Sequence, residues 1–233
     1  MADIYNNSEY LKNNPDWHAE DAAFKVKNIV KSIEANQIVC KSIVEIGCGT
    51  GEILRLLQAA LNNNKIKFTG YDVSKQAIDI AKSKENESLL FDIKDITKEE
   101  IEREFDLCLV MDVLEHVPDY FSLLESIRAI SEYTIFHIPL DMFVWSLFRE
   151  DMLIESKKRV GHIHNFTEKF ILSILEDYQF KVIHHFYTEP DYRSDSFKGG
   201  VINSFKKFLF SISPRFCSKT LGGYSIMVVC RNQ

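Results

Sequence analysis

The chain has 233 residues, a net charge of −6 and 45% hydrophobic residues, enough for a full core in an ordinary globular protein. The acidic balance argues against a general nucleic-acid binder, which carries a basic excess. The five cysteines are odd in number, scattered and without a Cys-x-x-Cys pair, so reduced thiols in the cytoplasm are expected, with no disulfide framework or zinc knuckle.

The residues from Met1 to Asn6 lack a basic-then-apolar pattern, and the most apolar window, 135–148, is broken by His137, Pro139 and Asp141. No signal peptide or membrane span is expected. From Trp17 to Ala35, apolar residues at Ala22, Ala23, Val26, Ile29, Val30 and Ile33 trace the stripe of an amphipathic helix, about 16–36. Next comes Ile43-Val44-Glu45-Ile46-Gly47-Cys48-Gly49-Thr50-Gly51-Glu52: a short buried strand, a glycine turn, and the start of a helix carrying Ile53, Leu54, Leu56 and Leu57. A ligand at that turn meets unpaired helix N–H groups. The order is G-x-G-x-G rather than the G-x-G-x-x-G of a dinucleotide turn, and the following Glu52 suits a partly cationic ligand better than a pyrophosphate.

Strands are then predicted at Ile66–Tyr71, Leu89–Phe91, Phe105–Val110 and Thr134–Ile138. Helices are predicted from a Ser74 cap through Ala81, across Tyr120–Ile130, and from a Thr167 cap through Leu175, with mixed structure over 140–160. The last two strands are Phe180–Tyr187 and Tyr224–Cys230. Alternating strands and helices predict an α/β, doubly wound, mostly parallel sheet with helices on both faces. The 36 residues of 188–223 separate the last two strands. Between Arg193 and Lys219 they carry six Lys/Arg and one Asp, a basic insert suited to an anionic acceptor, to a membrane surface, or to plain solvation.

The glycine stretch resembles the first motif of class I S-adenosylmethionine (SAM) dependent methyltransferases. Met111-Asp112-Val113-Leu114-Glu115-His116-Val117-Pro118 resembles the stretch after strand four in their small-molecule members, and Gly161-His162-Ile163-His164-Asn165-Phe166 and Trp17-His18-Ala19-Glu20-Asp21 are similar to motifs of a bacterial group accompanying surface-polysaccharide and secondary-metabolite pathways. The resemblance runs from about Trp17 onward. It implies a single methyltransferase domain over 1–233, a seventh strand antiparallel beside the fifth, and an N-terminal helix that lids the site.

It also implies site residues. Glu45, Gly47, Cys48, Gly49 and Gly51 hold the methionine part of SAM. Asp72 with Val73 takes the ribose, where a carboxylate can accept from both hydroxyls, and Asp95 with Ile96 takes the adenine. Met111 and Asp112 line the methionine side. Trp17, His18 and His137 face the acceptor, and His116, His162 and His164 are the candidate catalytic histidines, suited to taking a hydroxyl proton. No metal centre is expected, although Glu115, His116, His162 and His164 offer ligand types that could converge on a divalent ion. The expected reaction is O-methylation of a small polar metabolite or a sugar or glycan precursor, phosphorylated or nucleotide-linked. The alternatives are N-methylation of an amine and a non-catalytic SAM-binding module.

Overall fold

The computed structural model describes residues 19–99, 101, 105–189 and 197–233. Seven strands, β1 (Ser42–Ile46), β2 (Lys67–Asp72), β3 (Leu89–Ile93), β4 (Phe105–Met111), β5 (Ser131–Pro139), β6 (Phe180–Thr188) and β7 (Ser225–Asn232), form one sheet in the order β3-β2-β1-β4-β5-β7-β6. β1 to β5 pair in parallel, while β7 runs antiparallel between β5 and β6. This is the expected doubly wound plan, with the late strand reversed beside the fifth.

The two-residue side-chain period of a strand divides the core into two layers. On β4, Cys108 and Val110 face α4 (Tyr120–Ile130) and α7 (Glu168–Asp177). Leu107, Leu109 and Met111 face the other way, towards α1 (Ala19–Ala35), α2 (Glu52–Leu61) and α3 (Lys75–Ala81). A strand buried on both faces reads as the near-continuous apolar run seen in the sequence. The cap at Ser74 forms as expected, its hydroxyl accepting from the Ala77 N–H at 3.3 Å. Thr167 sits at the N-cap of α7, but its side chain makes no cap bond, so that expectation is corrected.

The mixed stretch after β5 resolves into two short helices, α5 (Val144–Phe148) and α6 (Asp151–Arg159). The basic insert holds α8 (Phe197–Ile212) and α9 (Pro214–Thr220). Both excursions leave the same end of the sheet, because Pro139, closing β5, pairs with Ser225, opening β7, and Thr188, closing β6, pairs with the same Ser225.

Candidate active site

β1 lies between β2 and β4, so the turn after it opens at the carboxyl ends of the strands where the sheet order reverses, the place where open α/β sheets bind ligands. Gly47, Gly49 and Gly51 all take positive φ, at 71°, 52° and 75°. The Tyr71 carbonyl accepts from the N–H groups of Gly47 (2.8 Å) and Cys48 (3.1 Å). The Asp72 carboxylate accepts from Gly49 N–H and Ser74 N–H, each at 2.8 Å. Burial pushes the Asp72 carboxyl up, and these bonds pull it back. Each oxygen spends one lone pair on the backbone and keeps one for a ligand hydroxyl.

Gly51 is the N-cap of α2, and a Cβ there would run into the Phe91 ring. The left-handed backbone and the overpacking together should make Gly51→Ala cost about 2–4 kcal/mol. A melting temperature equal to the parent's would show that the turn tolerates a side chain. Glu52 is not turned to a ligand: Arg55 binds it at 2.5 and 3.0 Å, with Lys84 at 3.7 Å. Val73 is exposed beside Asp72, and Cys48 is buried under the turn. Asp95 spends its carboxylate on its own turn, accepting from Thr97 Oγ1 at 2.6 Å and from Lys98 Nζ at 2.7 Å. Ile96 is buried in the core layer beside α4.

The end of β4 is held by a chain of polar groups. Asp112 has φ 56°, uncommon for a residue with a side chain. Its carboxylate accepts from His137 Nδ1 and pairs with Lys25 Nζ of α1, each at 2.6 Å, and its N–H donates to the His137 carbonyl at 2.9 Å. Burial opposes ionisation, but His137 and Lys25 hold Asp112 well below the usual carboxylate range. His137 Nε2 lies 2.9 Å from Thr188 Oγ1. With both ring nitrogens engaged and 6% of the residue exposed, His137 does not face an acceptor. It positions Asp112, which corrects the expectation of substrate binding. Met111 is buried on the α1 side of the strand. Glu45, also buried, has its carboxyl pushed well up by burial, with Lys25 opposing. Its Oε2 has no hydrogen-bond partner among the described residues.

The next turn of chain gathers Glu115, His116 and His162. Val113 ties it to the glycine turn, since a Cβ on Gly47 would lie 2.6 Å from Val113 Cγ2. The Glu115 carbonyl accepts from the N–H groups of Ile163 (2.9 Å) and His164 (3.1 Å), which draws the Gly-His-x-His loop against the post-β4 loop. His116 Nδ1 lies 3.2 Å from the Gly161 carbonyl and His162 Nδ1 2.5 Å from Asp141 Oδ2. A carbonyl can only accept, and a carboxylate does so when ionised. Both rings therefore carry the proton on Nδ1 and present Nε2 as the basic nitrogen in their neutral form. The rings meet edge-on with centroids 4.9 Å apart, and His116 Nε2 is 3.9 Å from Glu115 Oε1.

Glu115 is 0% exposed, and neither carboxylate oxygen has a hydrogen-bond partner among the described residues. Burial, then Asp112 and Asp141, push its carboxyl well above the ordinary range. One ligand atom from each of Glu115, His116 and His162 falls within a 4.8 Å span. An orphaned buried carboxylate beside two imidazoles oriented through Nδ1 fits a divalent cation. His164 stands apart, its Nε2 donating to the Val117 carbonyl at 3.0 Å and its ring edge-on to Tyr120, so it packs the loop rather than joining the cluster. Trp17 and His18 lie outside the described residues. Lys25, Asp141 and Thr188 were missed. Lys25 reads as a solvated position on an amphipathic helix, Asp141 as a break in an apolar window, and Thr188 as a strand end; only the geometry gives them partners.

A family model described as a methyltransferase domain matches residues 17–185. Ubiquinone biosynthesis O-methyltransferase of Actinobacillus pleuropneumoniae serotype 7 is 27% identical over 130 residues, which cover 49% of this chain and 54% of that protein. The enzyme of the same name from Coxiella burnetii is 33% identical over 96 residues, covering 39% and 38%. The chain thus spans about half or less of the length of these curated relatives. A putative sarcosine dimethylglycine methyltransferase from Galdieria sulphuraria superposes with TM-score 0.65 at 10% identity, over 91% of this chain and 86% of that one. Magnesium protoporphyrin IX methyltransferase from Synechocystis, with bound S-adenosylhomocysteine (SAH), superposes with TM-score 0.58 at 16% identity, over 92% and 83%. At such identities the structures share the fold.

Proposed function

Because the chain belongs to the methyltransferase domain family, with SAM as methyl donor, we propose that it methylates an oxygen of a small-molecule acceptor. The observation that carries this reading is the Glu115–His116–His162 cluster set against the glycine turn at the switch point of the sheet. The turn, with its positive-φ glycines and the Asp72 carboxylate, fits an adenosyl ligand: Asp72 accepts from the ribose hydroxyls, Met111 and Asp112 border the methionine part, and Asp95 and Ile96 border the adenine. SAM supplies an already activated methyl, so the chain's task is in-line placement and removal of the acceptor proton.

His162 is the better base of the pair. Its Nδ1–H is held by Asp141, which steadies the imidazolium formed when Nε2 takes the hydroxyl proton. His116 stands edge-on to His162, its own Nδ1 held by the Gly161 carbonyl. A second reading rests on the orphaned Glu115 carboxylate: Glu115, His116 and His162 would hold a divalent ion, which lowers the pKa of a coordinated hydroxyl. The charged groups set beside the cluster are Asp112 and Asp141, with Lys25 opposing them. An uncharged hydroxyl suits that field better than the phosphorylated or nucleotide-linked acceptor expected from the sequence. The curated relatives are named for ubiquinone biosynthesis, which gives the glycan-precursor reading no support. All five cysteines are free thiols. Among the described residues, no helix is long and apolar enough to cross a membrane.

Calorimetric titration tests this. SAM or SAH should bind near the micromolar range, ~8 kcal/mol, and NADH should not compete; the reverse preference would end the methyltransferase reading. Titration with manganese separates the two readings of the cluster. Burial and the neighbouring carboxylates raise the Glu115 pKa, so an ion that takes its carboxylate competes with a proton. Ion affinity should then climb with pH, up to about tenfold per pH unit for one proton released. A protein that binds no manganese at any pH leaves the His162 base alone.

A further inference from the structure

We propose that α5, α6, α8 and α9 form a face that docks on an anionic lipid bilayer. Four of the five residues of α5 are apolar, and all four are turned outward: Val144, Trp145, Leu147 and Phe148, with Trp145 56% and Phe148 77% exposed. Only Ser146 is buried, its hydroxyl bridging the Phe143 backbone at 3.0 and 2.8 Å. No residue of α6 is buried, and Ile154 is exposed. Helices of five and nine residues do not stand alone in water, and these two contribute nothing large to the core. They display apolar side chains rather than pack them. The Phe143 ring, seated where a Cβ on Gly222 would fall, pins α5 next to the chain leaving α9. Within α8 and α9, Phe208, Ile212 and Phe216 are exposed as well.

The charge of this face opposes that of the chain. The last turn of α6 is Lys157-Lys158-Arg159. Residues 142–160 carry four Lys/Arg against three Asp/Glu, and residues 197–220 carry five Lys/Arg, of which Arg215 is bonded to Glu168, and no acid, on a chain of net charge −6. Outward aromatics among lysines and arginines suit the headgroup region, with rings at the acyl boundary and cations on acidic headgroups. A second copy of the chain suits it less well, since a two-fold contact would set the cations against themselves. The face also borders the candidate site. The α5–α6 excursion begins at Asp141 and returns at His162, and those two residues bond each other. The docking itself does not depend on the methyl-transfer reading.

The test is flotation of the full chain with phosphatidylcholine vesicles, with and without about a third phosphatidylglycerol. The chain should float with the acidic vesicles only, and salt raised to about 0.5 M should release it. The double variant Trp145→Glu, Phe148→Glu should float at least tenfold less, with its melting temperature and SAM affinity unchanged, which separates lost docking from lost folding. Absence of flotation at low salt would overturn the proposal, as would flotation that the double variant leaves intact. So would a parent that dimerises in solution while the variant is monomeric, since the face would then belong to a second copy.

Discussion

His162→Ala should lower kcat/KM by about 10²–10⁴-fold, 3–5 kcal/mol, while SAM binds with the parent's affinity. The separation follows from placement. His162 bonds Asp141 and meets the His116 ring, and the hydrogen-bonded glycine turn is built from other residues. His116→Ala should fall in the same range. Asp141→Asn should follow His162→Ala only in part, because the imidazole remains while the charge that steadies its cation is gone. Chelator separates the readings once more: it is silent if His162 is the base, and it abolishes turnover if Glu115, His116 and His162 hold an ion. If both alanine variants turn over normally and chelator is silent, both the His base and the ion fail, and the acceptor needs no deprotonation, as an already ionised oxygen or a neutral amine would not.

Asp72→Ala should weaken SAM by about 1.5–3 kcal/mol, roughly 10- to 150-fold in Kd. Part of that is the ribose, where a carboxylate offers charge-assisted bonds. The rest is the turn itself, since Gly49 N–H and Ser74 N–H lose their common acceptor. The two parts are separable by a melt without ligand, which registers the turn and not the ribose. An unchanged Kd would take Asp72 out of the cofactor site.

How much of this could be read before folding depended on the range of each interaction. The strands and helices were legible because their signals are local: Leu54 and Leu57 repeat at helical spacing, and Ser74 sits at a cap. The glycine turn and Asp72 were legible because a βα turn and the next strand end lie close in the sheet whatever the loops do. The histidine cluster was half legible. His116 and His162 stood out by residue type, but nothing in the sequence distinguishes His162, paired with Asp141, from His164, two residues on, which packs on Tyr120. His137 shows the limit best. A histidine at a strand's carboxyl end reads as a site residue, yet here Asp112 and Thr188 take both its nitrogens. Those partners stand 25 and 51 residues away, and long-range pairings of that kind leave no periodic trace.

The threading of β7 has a bearing on how the chain is made. β6 has no bond to β5 and joins the sheet only through β7, which follows the other six strands in the chain and leaves the ribosome after them. Until β7 is synthesised, β5 presents an open edge and the β6 hairpin partner does not exist. The nascent protein therefore passes through a stage with an unpaired, apolar sheet margin, the kind that draws chaperones and promotes misassembly. The half of the sheet that carries the glycine turn, β1 to β4, needs nothing from that late strand. Thr188, and with it the outer clasp on His137, waits for it. Biosynthesis thus completes the cradle first and the outer clasp on His137 last.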